Sequence, residues 1–132
     1  MSTRANIIVK DENDTIQLYR HCDGYPEGIH GVIHQLNNVV KFAWQFPRFE
    51  ASDFSAAIIR GWKEEGGGNL RIDGSPEEYE LLHGDIEYLY IITPPKEGNL
   101  SPRVAIYDVN NWDTLKKELI WEGVIGGEFT KK

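Results

Sequence analysis

The chain is predicted to fold as an α+β domain: a mainly antiparallel sheet with two amphipathic helices packed on one face, in the order ββαα then βββ(β). Three observations predict this. Short runs near both ends are rich in β-branched and aromatic residues, and several alternate polar with apolar, the period of a half-buried strand. Between them, residues 29–62 carry apolar side chains at helical spacing. The strands and helices are also grouped rather than interleaved, which favours helices segregated to one side of a sheet over a repeated βαβ unit.

Ala5-Asn6-Ile7-Ile8-Val9-Lys10 reads as the first strand and stops at the turn-forming cluster Asp11-Glu12-Asn13-Asp14. Thr15-Ile16-Gln17-Leu18-Tyr19-Arg20 alternates and returns antiparallel to it. Two glycines and a proline break regularity over residues 23–28. From Ile29 the period changes: Ile29, Val32, Ile33, Leu36, Val40, Ala43 and Trp44 form one apolar stripe, which should end before Pro47. A second helix is expected from Ser52-Asp53, where a hydroxyl or carboxylate can cap the first amides, with Phe54, Ala57, Ile58 and Trp62 on its buried face. Gly66-Gly67-Gly68 closes it.

Leu70-Arg71-Ile72 suggests a short strand, and residues 75–84 fit either a short helix opened by Ser75-Pro76-Glu77-Glu78 or a loop. Residues 85–93 form a strong strand stopped by Pro94-Pro95, with apolar groups on both faces. Such a strand is central and covered on both sides, or lends one side to a second copy, so a homo-oligomeric structural role is one alternative. Residues 103–109 and 118–124 are further strands.

One domain across residues 1–132 is expected, since the chain shows no internal repeat and no linker. The composition, 40% apolar and 27% charged, is that of a globular protein rather than a disordered one. The single cysteine, Cys22, cannot form an internal disulfide. That, with an N-terminus lacking the layout of a signal peptide and no apolar run of membrane-spanning length, points to a cytoplasmic location.

The net charge of −7 is unevenly spread. Asp73, Glu77, Glu78, Glu80, Asp85, Glu87 and Glu97 face only Lys96 in the stretch from 73 to 97. This segment repels phosphate and disfavours nucleic acid as a partner. It is either a solvated loop or, around Glu77, Glu78, Glu80 and Asp85, a patch that docks a basic protein partner.

The segment from Arg20 to His34 gathers the chemistry-bearing residues at a strand-to-helix handover, a position where loops often carry function. A metal could be reached by His30 and His34, four apart on a helix, but no glutamate follows the first histidine, and both lie on the polar stripe with Asn38 and Lys41. No metal or cofactor is therefore expected. A small hydrolase-type enzyme could use Cys22 or Asp23 with a nearby histidine, although His21, adjacent on a strand, points to the opposite face from Cys22. The reading preferred is a polar binding site without catalysis. In it Arg20, Asp23 and Tyr25 present a guanidinium, a carboxylate and a phenol, joined by Arg4 from the neighbouring strand.

The opening Met1-Ser2-Thr3-Arg4-Ala5-Asn6-Ile7, the element Tyr19-Arg20-His21-Cys22-Asp23-Gly24-Tyr25-Pro26-Glu27-Gly28 and the run Gly84-Asp85-Ile86-Glu87-Tyr88-Leu89-Tyr90 resemble a group of small bacterial and phage proteins. Those begin with a small residue followed by Thr-Arg and carry an Asp-Gly-Tyr-Pro turn after their second strand. The resemblance covers the N-terminal third and one later strand. It implies a bacterial or phage origin and directs attention to Arg4, Asp23, Gly24, Tyr25 and Pro26, without implying a substrate. The expected role is thus a non-enzymatic binding or interaction module for a protein or a small anionic ligand.

Overall fold

The opening hairpin forms as its alternation requires. In the computed structural model, which describes residues 3–43, 49–65, 68–74, 86–96, 101–109 and 117–132, β1 (Ala5–Lys10) pairs antiparallel with β2 (Thr15–Arg20), Ala5 opposite Arg20 and Lys10 opposite Thr15. Asp11 builds the connection. Its Oδ1 accepts hydrogen bonds from the Asn13 and Asp14 amides at 2.8 Å each, the side-chain mimic of a backbone turn.

The first helix is shorter than its stripe predicts. α1 runs Val32–Val39 and passes into a 3-10 turn at Val40–Phe42. Ile29, assigned to the stripe by spacing, is 71% exposed. The cause is a compact turn ahead of the helix. The carbonyls of Tyr25 and Pro26 accept from the Val32 and Ile33 amides, and Gly28 accepts from Gly31, so residues 27–30 loop outwards before helical bonding begins. Trp44, at the far end of the stripe, lies outside the described residues.

α2 spans Ala51–Glu64 and buries Phe54, Ala57, Ile58 and Trp62 as expected. Its cap is not the local Ser52 or Asp53. Glu50 occupies the capping position without a side-chain bond, and the Ala51 amide instead donates to Asp11 Oδ2 at 2.8 Å. One carboxylate therefore closes the hairpin and caps a helix 40 residues away. The two helices meet closely where Gly61 faces Val39: a β-carbon at position 61 would stand 2.5 Å from Val39 Cγ1.

After α2 the chain lays β3 (Leu70–Gly74) beside β2, then β4 (Tyr88–Thr93), β5 (Arg103–Asp108), β6 (Glu118–Val124) and the short β7 (Phe129–Lys131), which the sequence reading did not separate from the terminus. The sheet order is β3-β2-β1-β4-β5-β6-β7. Every neighbouring pair is antiparallel except β1 with β4, which run parallel with Ala5 opposite Tyr88. The fold is α+β.

Both helices pack on one face of this sheet. Ala5, Ile7 and Val9 of β1, Leu18 of β2, Tyr90 and Ile92 of β4, and Val104 and Ile106 of β5 join Leu36, Ile58 and Trp62 in the larger core. The alternate residues Ile8, Tyr19, Leu89 and Ile91 are buried on the opposite face with Ile86 and Val109. β4 is thus the middle strand and is covered on both sides, as its doubly apolar run demands. The question of helix or loop at 75–84 falls outside the described residues. No helix among the described residues is long and apolar enough to cross a membrane.

Candidate functional site

The handover from β2 to α1 does bring Arg20, Asp23 and Tyr25 into one corner. Asp23 takes a left-handed backbone conformation, φ 55°, which aspartate tolerates better than most residues. This turns the chain so that the Tyr25 hydroxyl reaches Asp23 Oδ1 at 3.3 Å. Partial burial, then the Asp23 carboxylate, push the Tyr25 phenol above its ordinary range. The corner is pinned to the sheet. Gly24 donates its amide to the Thr3 carbonyl at 2.9 Å, beside Arg4, and its own carbonyl accepts the Tyr90 hydroxyl at 2.6 Å. Only glycine fits at position 24, because a β-carbon would sit 2.8 Å from the Thr3 oxygen. Half-buried Arg4 uses its carbonyl to receive the Glu87 amide, joining this corner to the start of β4.

Arg20 is turned inward. It is 0% exposed; Nε donates to the Cys22 carbonyl at 3.1 Å, Nη2 to the His30 carbonyl at 2.8 Å, and the guanidinium lies 4.5 Å from the centre of the Trp62 ring. The bonds run from a strand end to the carbonyls of the outward loop, so this cation holds residues 22–30 against α2. Burial pulls its pKa below the ordinary value, opposed by the neighbouring Tyr90 and Asp23.

The nucleophile pairing meets a similar commitment. Cys22 is a half-buried free thiol, and His21 Nδ1 shares a 2.9 Å hydrogen bond with the Tyr19 hydroxyl. Among the described residues no three metal-ligating side chains cluster. Of the acidic segment, Glu77, Glu78, Glu80 and Asp85 lie outside the described residues. Asp73 is engaged by the fold: its Oδ2 accepts from Asn6 Nδ2 at 3.0 Å and Gln17 Nε2 at 2.7 Å.

A concave site lies elsewhere, on the face of β5–β7 opposite the helices. Successive strand residues point to opposite faces, so the register decides which side chains share this one. Val104 and Ile106 enter the core; Arg103 and Ala105 therefore point away from it. Thr93 stands opposite Arg103, which is opposite Val124; Ala105 is opposite Glu122, which is opposite Thr130. With Lys96, Glu128 and Lys132 these residues line a cleft of about 420 Å³. The small side chain of Ala105 sits between Arg103 on its own strand and Glu122 on the next, and leaves the hollow.

The walls differ in charge. Arg103 donates from Nε to the Pro94 carbonyl at 2.9 Å, which fixes its aliphatic stem and leaves the two terminal nitrogens as donors. Lys96, on the segment following β4, lines the same cleft. On the other wall Glu122 pairs with Lys132 at 3.2 Å, while Glu128 has no ion-pair partner among the described residues. Sequence reasoning missed this site because its members come from four separated runs. The available signal was Arg103-Val104-Ala105-Ile106 itself, an outward arginine two residues from an outward alanine, alternating with the inward branched aliphatics Val104 and Ile106.

Compared with family models, with curated proteins and with solved structures, the chain matches none.

Proposed function

We propose that the chain is a non-enzymatic binding module that takes a small anionic ligand in the cleft above Ala105, working in a reducing, cytoplasmic compartment. The observation that carries this reading is that two cations, Lys96 and Arg103, which have no ion-pair partner among the described residues, both line a cavity of about 420 Å³. Small-molecule sites usually measure roughly 300–1,000 Å³ and place a few polar groups on otherwise shaped walls. Here Ala105 and Val124 supply the apolar lining, and the threonines Thr93 and Thr130 supply hydroxyls. An arginine tethered through Nε presents its remaining donors in a plane, the geometry that suits a carboxylate.

The test is a titration of isotope-labelled protein with pentanoate at low ionic strength, followed by NMR. Saturable amide shifts confined to residues 103–105 and 122–124 are expected, and added salt should weaken them because the cations are solvent-accessible. Ala105→Leu fills the hollow from its floor and should abolish the shifts while leaving the melting temperature within a few degrees. Shifts spread over the whole chain, no shifts at millimolar ligand, or shifts that persist in Ala105→Leu would each reject the site.

A further inference from the structure

Resting on that reading of the cleft, we infer that its ligand is zwitterionic, an anionic group joined by a short chain to an ammonium. Register supplies the geometry. Thr93, Arg103 and Val124 form one rung across β4, β5 and β6. The neighbouring strand β7 pairs Thr130 with Glu122 and Phe129 with Gly123, and Gly127 donates its amide to the Val124 carbonyl at 3.0 Å, so Glu128 lies between these two contacts, at the β6–β7 turn beside Val124. Arg103 on β5 and Glu128 beyond β6 are therefore about two strand spacings apart, roughly 10 Å between their backbones, with Val124 between them and the Ala105 hollow on the neighbouring rung.

The charges on the two sides of Val124 are separated rather than paired. Arg103 and Lys96 occupy one end with their cationic groups unmatched, and Glu128 occupies the other with its carboxylate unmatched, among the described residues. Glu122, the second acid in the cleft, is already neutralised by Lys132. An anion alone would satisfy the first end while placing negative charge in the field of Glu128. An amine alone would do the reverse at Arg103. A molecule with one charge of each sign, held apart by a few carbons lying over Ala105 and Val124, satisfies both ends and buries its chain on the apolar floor.

The experiment uses the full chain and three matched probes: 5-aminopentanoate, pentanoate and pentylamine, each titrated at the same ionic strength and followed by amide shifts of residues 103–105, 122–124 and 128–130. The zwitterion should bind at least tenfold more tightly than either singly charged probe, with its shifts reaching residue 128. Glu128→Gln should bring the ratio of pentanoate to 5-aminopentanoate dissociation constants close to one. If pentanoate binds as tightly as the zwitterion, or the ratio is unmoved in Glu128→Gln, the zwitterion inference is overturned while the anion site stands. If none of the three probes shifts the cleft residues, both fail together.

Discussion

Asp11 offers a direct measure of how much one side chain contributes by serving two elements. Its Oδ1 accepts from the Asn13 and Asp14 amides and its Oδ2 from the Ala51 amide, all at 2.8 Å. Asp11→Asn can keep the first pair, because the amide oxygen still accepts, but it turns an NH₂ toward the Ala51 amide. The lost cap costs about 1 kcal/mol, and the lost negative charge at a helix N-terminus about 0.5 kcal/mol more. Asp11→Ala also removes the two hairpin bonds. These amides are exposed and recover water, so they add roughly 1 kcal/mol together rather than the full value of two bonds. At roughly 4 °C per kcal/mol for a chain of this size, Tm should fall by about 6 °C for Asn and about 10 °C for Ala. Urea unfolding should give the matching free energies, and amide exchange at Ala51 should accelerate in both variants. Glu50→Ser places a local cap at an already extended position, φ −128° and ψ 127°, and should recover about 1 kcal/mol in the Asn background. Wild-type stability in Asp11→Asn, or no rescue by Glu50→Ser, would refute the cross-element cap.

Tyr90 makes stability depend on alkaline pH. Burial raises its phenol well above the ordinary value, so above about pH 10 the unfolded chain loses this proton while the folded chain keeps it. The contribution is complete below the unfolded pKa and lost as pH rises, at about 1.4 kcal/mol per pH unit. Tyr88 and Tyr25 act in the same direction from more exposed positions, so Tyr90→Phe should reduce the slope of unfolding free energy against pH between 10 and 11 without abolishing it. It should also cost about 1 kcal/mol at neutral pH through the Gly24 carbonyl; an unchanged slope would contradict the burial. At Arg20, lysine keeps a buried charge but cannot reach both carbonyls or lie flat on Trp62, whereas methionine removes the charge. Arg20→Lys should therefore lose roughly 3 kcal/mol in urea unfolding and be less stable than Arg20→Met, and the opposite order would show that the guanidinium's bonds outweigh its desolvation.

The parts of the fold legible in sequence were those governed by local period. The β1–β2 hairpin, the buried stripe of α2 and the doubly covered β4 all follow from side-chain alternation over six to fourteen residues. What escaped was set by partners distant in the chain. Asp11 replaces Ser52 and Asp53 as the cap of α2, and β1 joins β4 in parallel, because neither choice is visible within a local window. The candidate corner was legible as a cluster but not in its orientation. Nothing in Tyr19-Arg20-His21 distinguishes an arginine offered to a ligand from one stacked on Trp62, since that ring arrives from 42 residues later. The cleft was hidden for the same reason, being assembled from the register of four strands.

The parallel joint in mid-sheet carries a consequence for biosynthesis. As the chain leaves the ribosome, β1 can find β2 at once, yet its other edge stays open until Tyr88–Thr93 has been made. During that interval Ile7, Ile8 and Val9 form a bare, β-branched template able to recruit any extended strand nearby. The late arrival of β4 closes this exposure, so its docking should be the slow step of maturation, and slowed translation before residue 88 should favour aggregation over yield.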